Sequence, residues 1–219
     1  VEPALGRDLL ALGAVRRPGL LRQVFAAAAA LPAEIVSLQK LRGLLHDPGA
    51  LETTAHYLGL LEDAYLVAAL QKFSPRTHRR RQAPPKLVAL NNAILAVTDP
   101  RGVPDRAAEP ERFGKWVENA CLAHAWNAGQ TLTYWREEPL EVDAVLEGSW
   151  GTWVLEVKTG SYDTRDLAAL LEFARRHPRF QPLALCAEGD TGPADRAGVR
   201  AVSWREFLWS GLADRGRLT

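Results

Sequence analysis

Leu140-Glu141-Val142-Asp143-Ala144-Val145-Leu146 and, after a short turn, Trp153-Val154-Leu155-Glu156-Val157-Lys158 are the two stretches that decide the fold. Both are rich in β-branched and aliphatic residues with acids interspersed at period two, the signature of strands with one face in a core. Strict alternation puts Leu140, Val142, Ala144 and Leu146 on one side and Glu141, Asp143 and Val145 on the other. In the second strand Trp153, Leu155 and Val157 oppose Val154, Glu156 and Lys158. The turn at Glu147-Gly148-Ser149-Trp150-Gly151 folds the strands together and is expected to gather Asp143, Glu156 and Lys158.

Two neighbouring carboxylates repel each other, so the pair needs a divalent cation or an ammonium to hold it. Magnesium takes oxygen ligands from one or two carboxylates and fills its shell with waters and phosphate oxygens. On this reading Asp143 and Glu156 bind Mg2+, and Lys158 orients a water for attack on a phosphodiester. The alternative is a cross-strand salt bridge without chemistry. A third acid, Glu118, lies on the following arrangement of helical positions: it falls between Leu122 and Ala125 on a mostly apolar arc, with Lys115 and Asn119 towards the polar side. It is a further catalytic or metal-binding candidate, or else an acid paired with Arg136 or Lys158. The five histidines have no metal-ligand spacing, and no nucleophile motif is present.

Outward from these strands, residues 111–219 read as one α/β (α+β) unit. Its expected elements are a helix at 111–128, strands at 131–136, 140–147 and 152–158, a helix at 164–177, strands at 182–187 and 199–202, and a helix at 203–209. Residues 99–110, with three prolines and a glycine, read as a linker. Residues 1–98 form a helical unit with helices at 5–14 and 20–30, a third capped by Ser37, and a fourth carrying Leu51, Ala55, Leu58 and Leu61. Ala64–Phe73 and Lys86–Leu90 then read as a hairpin, the order of a winged helix. The segment between them holds Arg76, Arg79, Arg80 and Arg81, which suit contacts to nucleic-acid phosphates; a solvated loop is the plainer alternative.

The 219 residues suffice for one large or two small domains at roughly 100–200 residues each. With 27 Lys+Arg against 26 Asp+Glu and 47% hydrophobic residues the chain is expected to be globular. It carries no apolar run long enough for a membrane span and no signal peptide. Cys121 and Cys186 make no disulfide framework, which points to a reducing, cytoplasmic setting. The absence of methionine, even at position 1, points to a preceding N-terminal part. Residues 1–110 hold 14 Lys/Arg and 10 Asp/Glu, net +4, and residues 111–219 hold 13 and 16, net −3. This split suits a nucleic-acid-touching unit joined to a metal-binding or catalytic one, with DNA the expected partner and RNA the alternative.

Glu118, Glu141-Val142-Asp143 and Glu156-Val157-Lys158 together resemble the PD-(D/E)XK nuclease-like fold. More broadly, the chain resembles the C-terminal domain of unknown function found behind the AAA-type ATPase core of many prokaryotic ATP-binding proteins. Tyr57-Leu58, Leu61-Glu62, Tyr65-Leu66-Val67, Pro85-Lys86, Phe113-Gly114, Glu118-Asn119 and Tyr134-Trp135-Arg136 carry that likeness. The resemblance implies a winged helix followed by a nuclease-like domain, with a covalently attached N-terminal ATPase domain upstream. No G-x-x-x-x-G-K-[ST] loop occurs in this sequence, so ATP is expected only through that upstream part. Asn91 stands where the family often has an acid, and only Asp143, Glu156 and Lys158 map onto the nuclease signature. Three functional readings follow: a Mg2+-dependent nuclease, an inert nuclease-fold module that binds DNA or protein and regulates the ATPase, and a DNA-binding regulator that self-associates through its second domain.

Overall fold

A computed structural model describes residues 15–74 and 83–212. The helix expected at 5–14 and the arginines Arg76, Arg79, Arg80 and Arg81 lie outside the described residues. The element order is α1 (Pro18–Ala29), β1 (Glu34–Ile35), α2 (Leu38–Gly43), α3 (Leu51–Asp63), β2 (Val67–Lys72), β3 (Lys86–Ala89), α4 (Asn92–Thr98), α5 (Pro110–Asn127), β4 (Thr131–Glu137), β5 (Leu140–Gly148) and β6 (Gly151–Val157). A 3-10 turn at Thr164–Leu167 leads into α6 (Ala168–Arg176), followed by β7 (Gln181–Cys186), α7 (Gly192–Arg196), β8 (Arg200–Ser203) and α8 (Trp204–Ser210). The result is a mixed α/β fold on one eight-stranded sheet, in the order β1-β3-β2-β4-β5-β6-β7-β8. No helix among the described residues is long and apolar enough to cross a membrane.

The local chemistry accounts for the boundaries. Pro18 opens α1, where its missing N–H costs nothing. The Ser37 hydroxyl accepts from the Lys40 N–H at 3.0 Å and starts α2. The strand expected from Ala64 begins only at Val67. Ala64 instead caps α3, and Tyr65 follows with φ +56°, turning the chain sharply into β2.

Three apolar clusters hold the layers. Helices α1 to α4 pack over Val67, Leu87 and Ala89 on one face of the β2–β3 hairpin. The other face, through Ala68, Leu70, Val88 and Leu90, joins Val117, Cys121, Leu122 and Ala125 of α5. That second cluster continues across Ala144, Leu146, Leu155 and Leu185, so α5 spans the sheet from the hairpin to the later strands. On the opposite face Val142, Val145, Val154 and Ala184 pack under Leu170 and Phe173 of α6. Both cysteines are free and buried.

Strict alternation along β5 does not hold. Thr133 pairs with Val145 but Trp135 pairs with Val142, so two residues, Asp143 and Ala144, stand opposite Tyr134 alone. This bulge flips the phase of the strand. Val142 therefore joins Val145 in the cluster beneath α6, while Ala144 and Leu146 face α5. Glu141, before the bulge, and Asp143, its first residue, keep the parity that points to the α5 side.

Candidate functional site

The β5–β6 ladder runs from Gly148↔Gly151 to Ala144↔Leu155 and ends there. Beyond that point β6 continues beside β7, pairing Glu156 with Ala184 and Val157 with Leu185. Asp143 fills the opening between the parting strands: its Oδ2 accepts from the Val157 N–H at 2.8 Å. On β6, Lys158 Nζ donates to Glu156 Oε1 at 2.9 Å. Glu156 Oε2 is shielded from solvent and has no hydrogen-bond partner. Asp143 is thus bonded to the main chain of Val157, the residue between Glu156 and Lys158, which pair with each other.

Glu118 joins them from α5, on the same stripe as Cys121, Leu122 and Ala125. The residue is 5% exposed and its carboxylate is paired, but with neither Arg136 nor Lys158. Its Oε1 accepts from Lys86 Nζ and its Oε2 from Lys115 Nζ, each at 2.7 Å. Arg136 instead pairs with Glu138 and Glu141.

Lys86 is the residue that reading the sequence for chemistry overlooked. It belongs to β3, and the parity that sends Val88 and Leu90 towards α5 sends Lys86 the same way. Its side chain has no exposed surface. Besides Glu118, the Lys86 Nζ donates to the Asp143 main-chain oxygen at 3.1 Å. It lies 3.6 Å from both Glu141 Oε1 and Asp143 Oδ1. The only sequence signal is a lysine inside an otherwise apolar strand, a position where an unpaired ammonium would be costly.

Asn119 also departs from expectation: it is fully buried, not on a polar side. Its Oδ1 accepts from the Ala89 N–H at 2.9 Å, and its Nδ2 donates to the Ala89 oxygen at 2.8 Å and to Asn92 Oδ1 at 2.7 Å.

The electrostatics follow from burial and these pairings. Burial, then the nearby Asp143 carboxylate, pushes Glu156 up to about 8, against the pull of Lys158. Burial and Asp143 likewise push Glu118 up to about 7, opposed by Lys86 and Lys115. Burial works to raise Asp143 too, yet the Lys86 ammonium and the Val157 N–H hold it below its ordinary value. Burial works to lower Lys86, and the carboxylates, Glu118 first, more than reverse it.

As ligands, the oxygens of Asp143 and Glu156 are of the hard kind that magnesium takes. The partnerless Glu156 Oε2 fits one such ion. On the other side, the oxygens of Glu118 and Glu141 already converge on Lys86. Among the described residues, no group of three or more His, Cys, Asp or Glu side chains is arranged to hold a metal by itself.

The fold and site define a mixed α/β protein with a buried carboxylate–lysine cluster drawn from both halves of the chain. Its two halves match two families: residues 1–102 match the one described as Domain of unknown function (DUF8612), and residues 113–207 the one described as Domain of unknown function (DUF4143). No curated protein and no solved structure matches the chain.

Proposed function

We propose that this chain is a DNA-binding module with a PD-(D/E)XK-like centre that hydrolyses phosphodiesters with Mg2+, and that it forms the C-terminal part of an AAA-type ATPase. The observation that carries this reading is the meeting of Asp143, Glu156 and Lys158 where β5 and β6 part, with Glu156 Oε2 shielded and without a partner. Asp143 and Glu156 would hold the ion. Bound there, it would supply an activated water and offset charge on the scissile phosphate. Lys158, held against Glu156, is placed to orient that water. Glu118 stabilises the arrangement through Lys86 and Lys115 rather than by touching the reacting atoms.

A winged-helix reading of the first half is supported by the order α1-β1-α2-α3-β2-β3 and by the antiparallel array β1-β3-β2. The DNA contact rests on the sequence of Arg76, Arg79, Arg80 and Arg81. A second reading, the inert nuclease-fold module, is favoured by Lys86, whose ammonium already neutralises part of the cluster.

The test is calorimetric titration with Mg2+ and Mn2+ beside plasmid and single-stranded DNA cleavage, for the wild type, Asp143→Ala and Glu156→Ala. The proposal expects ion binding and cleavage in the wild type and loss of both in each variant. A wild type that shifts DNA but takes up no ion and cuts nothing would establish the inert module instead.

A further inference from the structure

Three carboxylates from two elements converge on one ammonium: Glu118 from α5, and Glu141 and Asp143 from β5. An ordinary buried ion pair needs one acid for one base. Here the Lys86 Nζ has a shell of four oxygens, at 2.7 Å from Glu118 Oε1, 3.1 Å from the Asp143 main-chain oxygen, and 3.6 Å from Asp143 Oδ1 and Glu141 Oε1. Carboxylates plus a main-chain carbonyl are the ligand set that hard cations collect. The ammonium that occupies this shell cannot swing out to water as a surface lysine would, because its side chain is wholly enclosed. Its backbone is fixed as well, since β3 is paired with β1 on one side and β2 on the other.

We infer that Lys86 is a built-in cation that takes the place of a metal ion on the Glu118–Glu141–Asp143 side of the cluster. Within the cluster, the Glu156 side is then the place left for a divalent ion. The inference rests on the proposed reading only for the kind of ion concerned. It also makes the cluster a shared property of the two halves: the acids come from the segment after residue 113 and their internal cation from the segment before residue 102. The second half by itself keeps Lys115 beside Glu118 and Arg136 beside Glu141, but it lacks the one ammonium that all three acids share.

The experiment counts bound Mn2+ per chain, by calorimetry and by the electron paramagnetic resonance signal of free Mn2+, in the wild type, Lys86→Met and Lys86→Arg. Methionine is unbranched and one atom shorter, so it removes the charge and leaves the place of the ammonium to an ion. Lys86→Met is expected to take up one more ion than the wild type, and Lys86→Arg none more. The extra ion should disappear again in Lys86→Met combined with Glu118→Ala and Glu141→Ala. If Lys86→Met is unfolded without metal, saturating Mn2+ should restore its native circular dichroism, since binding and folding are then coupled. A folded Lys86→Met that gains no ion, or an unfolded one that Mn2+ fails to restore, overturns the inference. The wild-type count judges the hydrolytic reading separately: no ion in the wild type with one gained in Lys86→Met removes that reading and upholds this one.

Discussion

Replacing Asn119 by alanine should be among the most damaging single changes outside the charged cluster. The reason lies at the short end of β1. Strand β1 pairs Glu34 with Leu87 and Ile35 with Lys86, and the Ala33 N–H bonds the Leu87 oxygen; the next residue along is Pro32, which has no N–H to give. Ala89 therefore looks out past the end of its neighbour, and the Asn119 amide stands in for the missing strand by both accepting from and donating to it. Asn119→Ala leaves two buried main-chain groups and the Asn92 side-chain oxygen without that partner. At about 1–3 kcal/mol for each group so stranded, and allowing for a water in the vacated space, the loss should be about 2–5 kcal/mol. That is a large share of a typical stability of about 5–15 kcal/mol. Urea denaturation followed by circular dichroism measures it as a fall in midpoint at constant slope. Asn119→Leu separates the causes: it fills the space but pairs nothing, so it should lose about as much as alanine. A loss under about 1 kcal/mol in Asn119→Ala would refute the argument that this amide completes the sheet.

Three other outcomes follow from the same structure. Glu156 titrates near 8 and Glu118 near 7 in the folded chain, above the ordinary carboxylate range. The folded state therefore holds protons that the unfolded state releases, and metal-free stability should fall as pH rises from about 4.5 to 8, by at most about 1.4 kcal/mol per unit for each group; Glu156→Gln should flatten the upper part of that slope in denaturation curves taken across pH. Tyr65 holds φ +56° with its ring largely exposed, so Tyr65→Gly should cost little or raise stability by up to about 1 kcal/mol, and a clear loss in thermal unfolding would show that the ring is needed. On the proposed DNA-binding reading, changing Arg79, Arg80 and Arg81 together to alanine should weaken DNA binding and flatten its dependence on salt by about three phosphates' worth, whereas an unchanged salt slope would place the DNA path elsewhere.

The strands β5 and β6 were legible because β-branched and aliphatic runs joined by a tight turn are local signals, and that turn is what brings Asp143 to the Val157 N–H. Glu118 was legible as an acid on an apolar helical stripe, but its partners were not. Lys86 lies 32 residues before Glu118 and 57 before Asp143, and only the folded sheet brings them together. The phase of β5 was unreadable for a different reason: a bulge inserts one residue without any glycine or proline to mark it. Asn119 was misplaced because its polarity argues for solvent, whereas its task is to satisfy a strand edge inside the protein. The two-residue β1 and the short helices α4 and α7 are too brief to impose a period on the sequence.

The sheet passes without interruption from the first matched family to the second, because β2 runs parallel to β4 and bonds it at Gln71↔Thr133 and Lys72↔Tyr134. A boundary in sequence is therefore not a seam in the solid. Opening the peptide between residues 102 and 113 would leave two fragments that share strands, a helix packed across both, and the Lys86 ion shell. Such a nicked chain should travel through a sizing column as one particle. Two separately expressed halves should find each other and reassemble, which makes this connection a natural place to split the protein for a reporter of assembly.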